Sequence, residues 1–347
     1  MTYKEIIDRN ANDTDIKIRW WARYAFHYTD ITNALGILTS GFLYSRKNAN
    51  SMGLMKCDNA SRQVIEMTRN ETTSFVRFYF RPKTPTQYYN EGYKHPSLRY
   101  DGDPKANVPV PVFFLFDLEK LLGFPETQFS ETPQSGSGSP LHNTPEEFAV
   151  FDFKKIYSDG RMSGDEKRYR HAEILFPNSF DISKCPVHIL CRNNIEKTTL
   201  LNLLKNEDIT AFHKYKERIK VPSRDVFMNN GLYVTDCAYH KDKVSLTFSD
   251  TYEKHSYISY QTNKLGIERE SLKPVEARAE FDWMGSAKKV SLYHDEVSLE
   301  LNYSLPNMIV FTNLENIKDS KQLRIKVYIE DMLVCFSEHS LAESEML

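Results

Sequence analysis

The sequence predicts an α+β unit followed by an all-β module. Two observations carry this. Over the first two-thirds, short strand-like runs alternate with helix-like segments, whereas after about Pro222 the hydrophobic period becomes two in run after run. The length, 347 residues, agrees with two domains at about 150 residues each. The expected boundary puts residues 1–221 in the first domain and 222–347 in the second.

The elements follow in order. Residues 30–40 predict a short helix, with Asp30 to cap its start, Gly41 to end it, and Ile31, Leu35 and Leu38 on one face. Residues 75–81 alternate, with Val76, Phe78 and Phe80 on one side and Arg77, Tyr79 and Arg81 on the other, as a half-buried strand does. The run VPVFFLF (110–116) is apolar on both faces and predicts a central strand. Ala172–Phe176 and Val187–Leu190 predict two more strands, and residues 195–207 a helix with Leu200, Leu203 and Leu204 inside. Residues 244–248, 275–283, 297–303 and 323–329 each alternate, which predicts a sandwich or small barrel. TPQSGSGSP (132–140) has the composition of a flexible surface loop.

Composition excludes several classes. Apolar residues are 40%, aromatics 13% and charges 27%, enough for real cores. No apolar run approaches a membrane span, and the polar start MTYKEIIDRNANDTD is not expected to act as a secretory signal. Five scattered cysteines (Cys57, Cys185, Cys191, Cys237, Cys335) form no CxxC pair, so a reducing cytoplasm is the expected location and no metal site is expected. The net charge of −2 does not suit a binder of duplex DNA. Residues 41–100, however, hold ten Lys/Arg against four acids, and residues 101–150 two against eight, so a nucleic-acid site is expected as a local groove. Dinucleotide-fold, P-loop, zinc-protease and serine-hydrolase motifs are absent.

Three segments carry chemistry. In WWARYAFHYTDITNALGILTSG (20–41), His27 and Thr29 lie at a strand edge beside a helix start, where a polar ligand can be gripped. The plain alternative is a capping Thr and a satisfied core His. FVRFYFRPKTPTQYYNEG (75–92) interleaves Arg77, Tyr79, Arg81, Lys83 and Gln87 with Tyr88 and Tyr89, which suits single-stranded nucleic acid, whose bases stack on rings at about 1–3 kcal/mol each. The alternative is a solvated sheet face and a Pro-stiffened loop. In RMSGDEKRYRHAEILFP (161–177), the cluster Arg161, Lys167, Arg168 and Arg170 leads to Glu173 inside an apolar strand. A carboxylate there faces a cleft or pairs with a nearby arginine.

Taken together and in order, these segments resemble the DarT family of DNA ADP-ribosyltransferases over about residues 25–195. His27-x-Thr29-x-x-x-Asn33-x-x-x-Ile37 followed by Gly41 resembles its first NAD-binding segment, FVRFYFRPKTPTQYYNEG its strand-and-loop block, and Ala172-Glu173 its catalytic strand. The resemblance implies a split, mixed β-sheet with NAD in its cleft. It implies mono-ADP-ribosylation of a nucleobase on single-stranded DNA through an oxocarbenium-like state, by a toxin of a toxin–antitoxin or phage-defence system with a cognate antitoxin protein. It makes Glu173 catalytic. It places His27, Tyr28, Thr29, Asn33, Gly36, Tyr44 and Tyr79 at NAD, residues 45–65 as a loop over NAD, and residues 130–172 as the substrate loop. Arg62 fits the family's NAD-loop arginine best, with Arg46 and Arg69 as alternatives. Arg77, Arg81, Lys83, Gln87, Tyr88, Arg168 and Arg170 are the expected DNA contacts, and Arg77 or Arg81 is an alternative anion-holding group. RPKTPTQ is nearer the branch associated with guanine than the thymine branch, and the base stays open. Competing readings are the same fold acting on RNA or protein, a non-catalytic single-strand-binding module, and an unrelated α+β protein. No role is implied for residues 222–347.

Overall fold

The computed structural model describes residues 1–55, 70–103, 106–135, 139–160, 164, 166–223, 226–240, 243–284, 292–312 and 322–340. The chain forms two compact units that interleave in sequence. One comprises Met1–Tyr89, Pro111–Leu190 and Glu217–Met228, the other Asn90–Val110, Cys191–Lys216 and Asn229–Leu347. Each unit draws on three stretches of the chain. Two earlier segments leave the first unit to complete the second, and hydrophobic period gives no sign of such returns.

The first unit opens with helix α1 (Tyr3–Asp13). Its strands, in order, are β1 (Tyr24–Asp30), β2 (Phe42–Tyr44), β3 (Phe75–Tyr79), β4 (Pro111–Asp117), β5 (Gln128–Ser130), β6 (Glu173–Pro177), β7 (Ser179–Asp181), β8 (Val187–Cys191) and β9 (Ile219–Lys220). Seven of them form one mixed sheet in the order β5-β6-β3-β1-β4-β8-β9, and β2 pairs with β7. The β8–β9 pair is parallel, and β1, β3, β4, β5 and β6 pair antiparallel. β4 is the expected central strand. Residues Pro111–Phe116 are all buried, because β1 and β8 flank it and both faces are covered.

Helix α2 (Ile31–Ser40) follows β1 without a loop. The Asp30 carboxylate accepts the Thr32 N–H at 2.9 Å, and Gly41 closes the helix at φ 77°, a conformation that costs a residue with a Cβ. β1 runs beside β4 from Tyr24↔Asp117 to Asp30↔Pro111, but its register with β3 is the pair Phe26↔Tyr79. The sheet therefore parts beyond that pair, on the side toward α2.

Three expectations need correction in this unit and the next. β3 ends at Tyr79, not at residue 81. Residues 130–172 are not simply a loop. They contain the short helices Pro145–Phe148, Phe153–Ile156 and Glu166–Tyr169, and Phe129, Phe148, Phe151 and Phe153 pack edge to face among them. The expected C-terminal β-sheets are present, but residues 222–347 are not strand alone, since helix Tyr252–Leu265 lies among them. The sheets of the second unit are β10 (Val234–His240), β11 (Lys243–Phe248) and β14 (Met308–Phe311), and β12 (Val275–Met284), β13 (Leu292–Leu301), β15 (Gln322–Ile329) and β16 (Met332–Ser340). Both are antiparallel. Helices Asn194–Glu207 and Tyr252–Leu265 belong with them. The latter buries Lys254, Tyr257, Ile258, Gln261 and Thr262, so its inner face is half polar and gives little helical period to read.

Candidate active site

β3 carries Arg77 and Tyr79 on one face, and the antiparallel register places Tyr79 directly opposite Glu173, the first residue of β6. Ser130 of β5 flanks Glu173 on its other side. Glu173 is 2% exposed. Its Oε1 lies 3.7 Å from Arg77 Nη1, and its Oε2 accepts the Gln134 backbone N–H at 3.3 Å. Burial pushes its pKa up, and the Arg77 charge and the Gln134 bond pull against that. Burial and the Glu173 charge push the Tyr79 phenol up to about 12, against the opposing charges of Arg77 and Arg46, so Tyr79 is neutral at physiological pH.

His27 lies on β1 where the sheet parts. Its Nδ1 stands 2.9 Å from the Arg77 carbonyl, which can only accept, so Nδ1 carries the proton and Nε2 is left as an acceptor. Its ring packs against Phe78 at 6.1 Å and Phe114 at 6.3 Å. Burial lowers its pKa, which favours the neutral ring. One strand thus ties the two candidates together. β3 presents its backbone to His27 and its Arg77 side chain to Glu173.

The remaining NAD candidates lie on β1, α2, β2 and the segment after it. Thr29 is buried, Tyr28 stacks obliquely on Phe113 at 5.1 Å, and Asn33 is half-buried on α2. Gly36 is exposed on α2, and a Cβ there would meet nothing within 4 Å. Tyr44 pairs with Ser179 and stacks on Phe42 at 5.9 Å. Arg62 and Arg69 lie outside the described residues, as does Arg161. Arg46 begins helix α3 (Arg46–Ser51), capped by Ser45, and its charge reaches Tyr79. Of the three NAD-loop arginine candidates it is the one the described residues bring to the site. The expected loop over NAD is helical over this stretch.

The DNA candidates divide by burial. Arg77 is 25% exposed, Lys83 and Tyr88 are half-buried, and Arg168 is exposed. Arg81, Gln87 and Arg170 are 1%, 1% and 5% exposed, so the expectation that they face DNA is corrected. Arg81 turns inward where β3 ends. It donates to the carbonyls of Pro82, Ile156 and Ser158 and stacks over Trp21 at 4.9 Å. Arg170 donates to the Ser158 hydroxyl and the Gly160 carbonyl. Gln87 joins the Lys83 N–H to the Val226 carbonyl, fixing the left-handed turn at Lys83, φ 58°. Buried arginines bonded to protein oxygens are brackets, although Arg81 Nη2 is left without a partner among the described residues, and sequence alternation cannot tell them from surface charges.

Two contacts were not singled out as site features. Gln134 brings the 131–135 segment onto Glu173. Lys167 stands 5.5 Å over the Tyr89 ring, joining the basic cluster to the aromatic block. The basic–aromatic interleaving of both segments is the signal that could have found this pair. A cavity of about 760 Å³, lined by Arg9, Asp13, Lys17, Tyr157 and Asp159 among others, contains none of the site candidates. No group of three or more metal-ligating side chains occurs among the described residues.

The model of the DarT family, described as ssDNA thymidine ADP-ribosyltransferase, matches residues 26–227. The chain belongs to the DarT family. With it, the chain is an ADP-ribosyltransferase that takes NAD as donor. No curated protein matches it. Among solved structures it is similar to Thermus sp. 2.9 DarT in complex with carba-NAD+, at 17% identity and TM-score 0.45, over 59% of this chain and 97% of that one. It is also similar to Thermus sp. 2.9 DarT with ADP-ribosylated ssDNA (17%, TM-score 0.43, 58% and 94%) and to Thermosipho africanus DarTG with ADP-ribose (17%, TM-score 0.41, 55% and 51%). The assignment rests on the family match, which takes in β1 from Phe26 onward, β3, β6 and Glu173. That DarT model names thymidine, so the match lends nothing to the leaning toward guanine.

Proposed function

We propose that this DarT-family chain transfers ADP-ribose from NAD to a base of single-stranded DNA, with thymidine as acceptor and Glu173 as the base that takes its proton. The observation that carries this is the buried Glu173 carboxylate beside Tyr79 and Arg77, within the matched region. A carboxylate raised by burial and held near a cation is matched to accepting a proton. Thymine has one free ring N–H. As its nitrogen bonds to ribose C1, the bond from C1 to the nicotinamide nitrogen breaks. The electron pair leaves with nicotinamide, which departs neutral, and the base's proton passes to Glu173.

The chain offers what the donor needs. His27 Nε2 accepts a hydroxyl or amide hydrogen, Tyr79 lends a neutral ring, and Arg46 lends positive charge. Lys83, Tyr88 and Arg168, none of them buried, and the Lys167–Tyr89 contact supply the cations and rings that a single strand needs. We further propose a toxin role with a cognate antitoxin, a catalytic region at residues 1–221 and an accessory region at 222–347. The test is to incubate the protein and its Glu173→Gln variant with labelled NAD and matched DNA and RNA oligonucleotides. Label on single-stranded DNA, reduced on the order of 10²-fold or more in the variant, supports the reading. Label on RNA alone overturns the acceptor.

A further inference from the structure

A carboxylate as deep as Glu173 is either protonated or offset by positive charge. The groups facing it from each neighbouring element are few. Tyr79 of β3 is a neutral phenol. The Ser130 hydroxyl of β5 is committed to the Thr132 carbonyl at 2.8 Å. The segment after β5 contributes the Gln134 N–H, a single long bond. Arg46 of α3 acts on Tyr79. Among the described residues Arg77 is the cation that stands against the carboxylate, and Glu173 is the acid that Arg77 pairs with. At 3.7 Å the pair is an ion pair without a hydrogen bond. It leaves Glu173 Oε1 without a hydrogen bond among the described residues and open to a proton, while Oε2 accepts from Gln134.

We propose that Arg77 is a positioning residue for Glu173, holding the carboxylate ionised and turned to the β3 face so that it can accept the base's proton. The inference rests on the transferase reading above and adds to it the group that keeps its base ready. The sign is fixed by the opposing influences. Burial makes Glu173 hold its proton to higher pH, and Arg77 makes it release the proton at lower pH. Without Arg77 the carboxyl stays protonated further up the pH scale, and the base is lost over that interval.

The experiment measures kcat/KM against pH for the wild type, Arg77→Gln and Arg77→Lys, with NAD and a single-stranded DNA oligonucleotide. Arg77→Met is a second neutral variant should the glutamine variant not fold. The acid limb moves to higher pH in the neutral variants, activity below it falls about tenfold for each unit moved, and alkaline pH restores the rate. Arg77→Lys returns the limb toward the wild type. In parallel, oligonucleotide affinity is followed against salt, and its slope is unchanged in Arg77→Gln. An unmoved limb with a slope reduced by about one makes Arg77 a phosphate contact and overturns the inference. Neutral variants that fold but stay inactive at every pH overturn it too. A wild type that labels no DNA fails the transferase reading instead, so the two failures are distinct.

Discussion

Arg77 and Arg81 stand four positions apart, and burial assigns them different work. Arg77 keeps a quarter of its side chain in solvent and faces Glu173, whereas Arg81 is enclosed and donates from Nε and Nη1 to three carbonyls. Burial and the neighbouring Arg170 push the Arg81 pKa down to about 9, as expected for a cation enclosed beside a like charge. Arg81→Ala should therefore cost about 3 kcal/mol or more in thermal or denaturant unfolding, since charge-assisted bonds are lost and buried carbonyls stay unpaired. Its effect on the salt dependence of DNA affinity should be nil. Arg77→Gln is expected to leave the melting temperature nearly unchanged and to alter the pH profile. An Arg81→Ala protein of wild-type stability with a reduced salt slope would return Arg81 to the DNA surface.

At the scale of elements, the site was legible where local chemistry and period agree. Asp30 and Gly41 bound α2 as their residue types require, and VPVFFLF sits in the middle of the sheet. Glu173 was legible because a lone carboxylate in AEILF has few places to be. What could not be read was the direction of side chains after a strand ends. Alternation continued from Tyr79 predicts an outward Arg81, but the backbone leaves β3 there and the guanidinium turns in. The parting of β1 from β3 was likewise hidden, because the His27–Arg77 contact that marks it joins residues 50 positions apart. Gly36 offers a test at this scale. With open space around its Cα and a place on α2, Gly36→Ala should gain up to about 1 kcal/mol of stability from helix propensity. If the helix face packs against NAD, the same variant raises KM for NAD. A stabler variant with unchanged KM removes Gly36 from the NAD site.

For the whole molecule, interleaving decides what can be cut. The second unit draws on residues 90–110 and 191–216 as well as on its C-terminal sheets. Its interior holds Arg192 bonded to Glu196, and Lys94 donating at 2.7 Å to both the carbonyl and the side chain of Asn230. Gly231 packs so tightly on Gly92 that a Cβ would stand 2.7 Å from that backbone. A chain ended at residue 221 keeps Lys94, Arg192 and Glu196 but loses Asn230, Gly231 and the strands beyond. It should be recovered mainly as aggregate, or melt well below the full chain, because charged groups built for an interior lose their partners. A soluble 1–221 chain with a full-length melting temperature would show that the catalytic region folds alone. Chemistry rather than architecture is the central claim, and mass spectrometry of the oligonucleotide product tests it most directly. Full-length protein, NAD and a mixed-sequence single-stranded DNA should give a strand heavier by one ADP-ribose, located by fragmentation on thymidine, with little or none from Glu173→Gln. An unmodified strand with NAD unconsumed, or equal adduct from both proteins, would contradict the account.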